Sequence, residues 1–215
     1  MTADLAAVEA ALRRIFPDDV ALAAEHVVQG GPQDLWPEEE AAACGAVPQR
    51  LAEFAAGRRA ARRVLAALGR PPAALPMAQD RAAVWPSDLC GSIAHAARIA
   101  VAVARPGPPL GVDLEPDLAV DPDLWPTLCS PAELSRLSGD TGRLVRRIFC
   151  AKEAVFKAQD PDRRAMFGFD AVDVTLAEAG FDAQFRFDAG GFRAGQVLSG
   201  RLETAGNVIL AGVSW

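Results

Sequence analysis

The spacing of apolar residues changes from helical to alternating part-way along the chain, and that change limits the architectures open to it. Within residues 4–16, Leu5, Val8, Leu12 and Ile15 recur at helical spacing. Residues 49–68 predict a longer helix with Leu51, Phe54, Val64, Leu65 and Leu68 on its apolar side, stopped by Gly69 and Pro71-Pro72. Residues 17–48 read as loop-rich, with one helix start at Glu38, Glu39 and Glu40 behind Trp36-Pro37, and residues 70–90 as loop. Then the period shortens. Ser92 to His95, Ile99 to Val103 and Leu110 to Glu115 predict short strands, the last pairing as a hairpin with 99–104. Ser130-Pro131-Ala132-Glu133 is a helix start with Ser as N-cap, Pro at the first position and Glu at the third. A long helix is predicted over 142–159. Strands follow at 172–176, 183–187, 197–202 and 207–213, with glycines between them. The class is α+β with mostly antiparallel strands, because helices and strands do not alternate as a doubly wound sheet requires. Arg105-Pro106-Gly107-Pro108-Pro109 breaks the chain near its middle and predicts two halves, 1–106 and 107–215, each a small sheet packed with helices.

Composition excludes several classes. Of 215 residues, 51% are hydrophobic and 23% charged, too apolar for a disordered chain. No run approaches the roughly 18 apolar residues of a membrane span. The start, Met1 to Asp19, lacks a basic segment followed by an apolar one, so no export signal is read and a cytoplasmic location is expected. Cys44, Cys90, Cys129 and Cys150 form no C-x-x-C pair, and only His26 and His95 could join them, so reduced, mostly core cysteines are expected. A net charge of −6 argues against a general nucleic-acid binder. The average conceals a basic block, Arg50, Arg58, Arg59, Arg62, Arg63 and Arg70 against Glu53, which suits a small anionic ligand. Of 22 basic residues only Lys152 and Lys157 are lysine, and they sit five apart. That points to a site where a compact ammonium is wanted rather than a planar guanidinium.

In Gly111-Val112-Asp113-Leu114-Glu115, alternation puts both carboxylates on one face of a strand. They are either a solvated edge or part of an oxygen-rich Mg²⁺ site, since two adjacent carboxylates repel unless a cation or proton lies between them. In the late helix, Leu144, Val145, Ile148, Phe149, Val155 and Phe156 fill one apolar arc, and Lys152 falls inside it. Lys152 either snorkels or meets a buried anion. Glu153 and Lys157 lie at the arc's edge, as an ordinary surface ion pair or as site residues. Taken together, three carboxylates and two ammoniums suit phosphoryl transfer, with Mg²⁺ neutralising phosphate oxygens. His95 and the basic helix add anion contacts.

These stretches resemble a known family. Gly111 to Glu115, followed by Phe149-Cys150-Ala151-Lys152-Glu153-Ala154-Val155-Phe156-Lys157, is similar to the paired signature of the Sfp-type 4′-phosphopantetheinyl transferases. Arg50-x-x-Glu53-Phe54-x-x-Gly57-Arg58, Trp85-Pro86 and Gly91-Ser92-Ile93-Ala94-His95 resemble elements of its enterobactin-synthase branch, with Ala94 where that branch carries Ser. The likeness runs from about residue 35 to 160. It implies two pseudo-symmetric α+β halves with the site between them, and transfer of 4′-phosphopantetheine from coenzyme A to a carrier-protein serine, releasing adenosine 3′,5′-bisphosphate. By the same resemblance, Asp113, Glu115 and Glu153 hold Mg²⁺, and Glu153 or Lys152 handles the serine proton. Lys152, Lys157, Ser92 and His95 contact phosphate with Asp113 beside them, and Arg50 and Arg58 bind the nucleotide end. Arg81 is a further candidate for the nucleotide phosphate. A monomer acting on coenzyme A and an acyl- or peptidyl-carrier protein is expected, docking the acidic carrier through Arg143, Arg146 and Arg147 or through Arg163 and Arg164. Two other readings stay open: a Mg²⁺-dependent pyrophosphohydrolase acting on coenzyme A-like nucleotides, and an inactive coenzyme A- or carrier-binding relative.

Overall fold

A computed structural model describes residues 4–28 and 32–215; the sequence expectations for residues 1–3 and 29–31 lie outside this range. The first helix, α1 (Leu5–Ile15), is capped by the Asp4 side chain and buries Val8, Ala11, Leu12 and Ile15. A strand that the sequence pattern does not predict, β1 (Ala21–His26), follows it inside the loop-rich stretch. Its six residues include three alanines, which carry little strand preference, and its burial runs in a pair rather than alternating. Helix α2 (Pro37–Ala43) begins where the acidic run predicts, and α3 (Pro48–Ala67) is the arginine-rich helix. Gly69, at φ +68°, ends α3: its left-handed backbone lets the Arg70 amide donate back to the Leu65 carbonyl at 2.9 Å.

Strands β2 (Leu89–Ala96) and β3 (Ile99–Pro106) form a hairpin whose turn residues, Ala97 and Arg98, both have positive φ. With β1 they make a three-stranded antiparallel sheet in the order β1-β3-β2. Strand β4 (Leu110–Pro116) corrects the expected hairpin. It does not pair with β3 but with β8 (Val208–Ser214), Asp113 lying opposite Ala211. The Gly107-Pro108-Pro109 connection turns the chain into a second sheet of five strands, β4-β8-β7-β6-β5, completed by β5 (Val172–Leu176), β6 (Gly180–Phe185) and β7 (Val197–Ala205). The architecture is therefore α+β with two antiparallel sheets, unequal in size. Short helices α4 (Trp125–Leu128) and α5 (Pro131–Arg136) lead into α6 (Thr141–Lys157), which lies against β4 and β8.

Helix α1 joins the two sheets. Val8, Leu12, Ile15 and Phe16 share one apolar cluster with Ile99, Val101 and Val103 of the first sheet and with Leu110, Val112, Leu114 and Leu210 of the second. Burial of this many aliphatic side chains is the dominant favourable term in holding the halves together. Cys129 and Cys150 are core residues, whereas Cys44 is exposed and Cys90 half-buried; all four are free thiols. Among the described residues no helix is long and apolar enough to cross a membrane.

One glycine sets the distance between β4 and α6. A Cβ at Gly111 would lie 2.0 Å from the Ala154 carbonyl oxygen and 2.6 Å from the Ala158 amide, both backbone atoms of the helix end. Gly111→Ala is expected to lower stability by on the order of 1–3 kcal/mol in urea unfolding, because an added methyl must push the helix off the strand.

Candidate active site

A cleft of about 770 Å³ opens where elements of the two sheets meet. Helix α3 contributes Arg50, Glu53, Phe54 and Arg58; the segment before β2 contributes Met77 and Arg81; β2 contributes Ser92 and His95. On the other side stand Asp113 and Glu115 of β4, and Lys152, Glu153 and Lys157 of α6. Phe149, Phe156, Phe167 and Phe169 form an apolar wall; Phe149 meets Phe169 edge-on at 5.5 Å and Phe156 meets Phe167 at 5.1 Å. All the site residues expected from sequence thus border one cleft, although not all of them turn a free polar group into it.

The carboxylates sit close together in a buried setting. Asp113 is buried; its Oδ1 accepts from Lys157 Nζ at 2.5 Å, while its Oδ2 is buried with no hydrogen-bond partner. Glu115 accepts from Arg146 at 2.9 Å, yet burial, with the charge of Asp113 adding to it, pushes its carboxyl up from an ordinary 4.5 to about 7. Glu153 is also pushed up, by burial first, with Lys157 opposing and Asp113 reinforcing the shift. For Lys157, burial alone would lower the ammonium, but contact with Asp113 and the charge of Glu153 hold it above its usual range. Among the described residues no three His, Cys, Asp or Glu side chains are drawn close enough to enclose a metal ion. A cation of α6 instead holds each strand carboxylate: Lys157 at Asp113 and Arg146 at Glu115. The unpartnered Asp113 oxygen and the neighbouring carboxyls, raised by burial, are the all-oxygen donor type that a hard divalent cation takes, and they would have to draw closer to enclose one.

His95 is neutral here. Its Nε2 accepts from Arg50 at 2.6 Å, so the proton sits on Nδ1, which faces Glu53 Oε2 at 3.5 Å. Burial, then the Arg50 charge, lower its pKa below 6.5. Arg58 is buried with its guanidinium 4.0 Å over the Phe54 ring and its Nε donating to the Leu75 carbonyl at 2.7 Å. Its pKa falls to about 10 through burial, and it stays charged. Ser92 uses its hydroxyl on strand β4, accepting from the Val112 amide at 3.1 Å.

Three expectations need correction. Lys152 borders the cleft, but its ammonium is enclosed by Glu133 Oε2 at 2.8 Å and the carbonyls of Leu128 and Phe169, each at 3.0 Å. An ammonium has three donors and all are used, so no N–H remains for phosphate or for proton transfer. The basic block is largely not a ligand surface: Arg59 pairs with Asp34, Arg62 with Glu39, Arg63 with Glu9 and Glu25, and Arg70 with Asp88. Only Arg50 and Arg58 of that block reach the cleft. Arg146, expected on a docking face, instead grips Glu115, and Arg164 pairs with Asp80 across the cleft at 3.6 Å. Sequence reasoning misses Glu133 as the partner of Lys152; its visible role is that of a helix-capping residue, which it also is, accepting from the Ser130 amide at 2.7 Å.

Two family models match consecutive stretches of the chain. Residues 38–105 match the model of the 4′-phosphopantetheinyl transferase N-terminal domain, and residues 109–205 that of the 4′-phosphopantetheinyl transferase superfamily. The chain is 36% identical over 194 residues to the 4′-phosphopantetheinyl transferase Svp of Streptomyces mobaraensis, covering 82% of this chain and 75% of that one. The chain belongs to the 4′-phosphopantetheinyl transferase family. The transferase is also 32% identical over 152 residues to Npt of Nocardia iowensis, covering 67% of this chain and 68% of the relative. To enterobactin synthase component D of Escherichia coli (strain K12) it is 36% identical over 93 residues, covering 40% and 44%. The two family matches meet at the Pro-rich break between the sheets.

The raised Glu115 carboxyl has a consequence for the ligand-free transferase. Its folded pKa of about 7 exceeds the ordinary 4.5, so the group's contribution to stability falls as pH rises through that interval and is least above it. With a chelator present, Glu115→Gln is expected to melt higher than the wild type at pH 8, the difference narrowing toward pH 5, as followed by scanning calorimetry.

Proposed function

We propose that this chain transfers 4′-phosphopantetheine from coenzyme A to a serine of an acyl- or peptidyl-carrier protein, in a Mg²⁺-dependent reaction that releases adenosine 3′,5′-bisphosphate. One observation carries the reading: arginines of the first sheet's helix and the acid–ammonium set of β4 and α6 border the same cleft, and one Asp113 oxygen there is buried without a partner. Coenzyme A is an anionic nucleotide joined through a diphosphate to a long thin arm. Arg50, Arg58 and Arg81 suit its nucleotide phosphate, His95 and Lys157 its diphosphate, and the phenylalanine wall its pantetheine arm.

Asp113, Glu115 and Glu153 would hold the metal. Bound there, Mg²⁺ would offset the charge of the diphosphate oxygens and of the leaving group. The chain's own residues do the rest. Lys157, already charged and pinned by Asp113, lies ready to meet a phosphate oxygen. His95, with Nδ1 protonated, can donate to the diphosphate once its contact with Glu53 is given up. Glu153 has a carboxyl raised by burial, which makes it a better proton acceptor at neutral pH than an exposed glutamate. It takes the serine proton as the serine oxygen forms its bond to the β-phosphorus and the bond to the adenosine bisphosphate oxygen breaks. Lys152 serves the site indirectly, its pairing with Glu133 tying α6 to the start of α5 and to Phe169. An acidic carrier would approach over Arg143 and Arg163, both exposed.

Similarity to enterobactin synthase component D makes siderophore-type carriers the first substrates to test, followed by polyketide and fatty-acid carriers. Incubation with coenzyme A and Mg²⁺ is expected to add one phosphopantetheine to an apo-carrier by mass spectrometry. Asp113→Ala and Glu153→Ala are each expected to lower the rate at least about a hundredfold, the scale of losing one electrostatic contact to the developing charge. Chelation of divalent metal should do the same. Release of free phosphopantetheine from coenzyme A without a carrier would point to a hydrolase instead.

A further inference from the structure

Outside the groups already assigned, the most fully engaged buried charge in the first half is Glu39 of α2. Its side chain is fully buried. Its Oε1 accepts from the Leu75 amide and from Arg62, each at 2.9 Å; its Oε2 accepts from Arg62 at 3.0 Å and from the Trp36 amide at 3.1 Å. A buried carboxylate persists only when paired in this way, and losing one partner leaves the others unsatisfied. Leu75 is held at its other end too, its carbonyl accepting from Arg58 Nε at 2.7 Å. One peptide segment is therefore clamped between an acid of α2 and an arginine that borders the cleft.

Directly beyond Leu75 the chain makes a small hairpin over 76–84. The Val84 amide donates to the Pro76 carbonyl, Met77 bridges Ala83, and the Ala78 amide donates to the Ala82 carbonyl. The hairpin tip carries Asp80, facing Arg164 across the cleft, and Arg81, whose φ of +70° is a strained conformation for a residue with a side chain. The turn is closed by its own bonds, the Arg81 amide donating to the Ala78 carbonyl at 2.9 Å and the Ala82 amide to Asp80 Oδ1 at 3.0 Å. The hairpin therefore moves as a unit whose direction is set at its base and by the Asp80–Arg164 pair. Leu75 is that base, and Glu39 and Arg58 are what fix it.

We propose that Glu39 is a positioning residue for the nucleotide side of the cleft, acting through Leu75 to seat Arg58 and the Arg81 hairpin where they meet the 3′-phosphate of coenzyme A. This rests on the reading of the cleft as a coenzyme A site. Glu39 does not touch the ligand; it determines whether two arginines that do are in place before the ligand arrives.

The test compares coenzyme A with 3′-dephospho-coenzyme A as calorimetric ligands and as co-substrates. For Glu39→Gln, affinity for coenzyme A should weaken about tenfold, the scale of losing a charge-assisted hydrogen bond. Affinity for the dephospho form should stay within about twofold, and kcat should change little while KM rises. Hydrogen exchange should quicken in 75–84 and not in α6. Glu39→Asp, which keeps the charge for Arg62 but is one methylene too short for Leu75, should behave alike and serves if Glu39→Gln does not fold. Equal losses with both nucleotides, or a fall in kcat at unchanged KM, would overturn the proposal. A wild type indifferent to the 3′-phosphate overturns it too. If the wild type binds neither nucleotide, the coenzyme A reading itself has failed, and unchanged exchange in 75–84 would show separately that Glu39 does not hold the hairpin.

Discussion

Strand β4 is compressed on three sides, and the site depends on that compression. It pairs with β8, lies with Gly111 against the backbone of the end of α6, and is bridged to β2 by the Ser92 hydroxyl at the Val112 amide. Because no side chain separates Gly111 from α6, Lys157 reaches Asp113 and Arg146 reaches Glu115. Because Ser92 touches Val112, His95 and the arginines of α3 stand across a narrow gap from the carboxylates. Spaced by ordinary side chains, the same residues would be scattered surface charges.

This closeness has an electrostatic cost that the function can use. Asp113 and Glu115 lie on one strand face, and burial keeps solvent from screening them. Lys157 and Arg146 relieve part of the repulsion, but Glu115 is still lifted to about 7 and one Asp113 oxygen is left without a donor. In the proposed reading, a divalent cation between these carboxylates would relieve the remaining repulsion and present positive charge to a diphosphate. In that reading, stability given up in the free protein would become affinity for the substrate, a common arrangement at active sites.

Much of this was legible in the sequence because it depends on local periodicity. Alternation alone put Asp113 and Glu115 on one face, and helical spacing put Glu153 and Lys157 on another. The capping residues of α5 and the stop at Gly69 followed from turn chemistry. What could not be read were partners far apart along the chain. Strand β4 pairs with β8 about a hundred residues away, and no local pattern distinguishes that from the nearer hairpin with β3. The six arginines of the basic block look alike in sequence, but acids on α1, β1, α2 and the loops neutralise four of them. Lys152 stood out as one of two lysines, yet its role depends on Glu133, whose visible signature was that of a helix cap. Strand β1, rich in alanine, gave no alternation to find.

The most direct check is a crystal structure with coenzyme A and Mn²⁺ in place of Mg²⁺, using anomalous scattering to locate the metal. Convergence of the β4 and α6 carboxylates on one ion requires a single strong peak in contact with Asp113 and Glu153, with the diphosphate seated between it and His95. A peak elsewhere, or a nucleotide whose diphosphate lies away from β4, would contradict it.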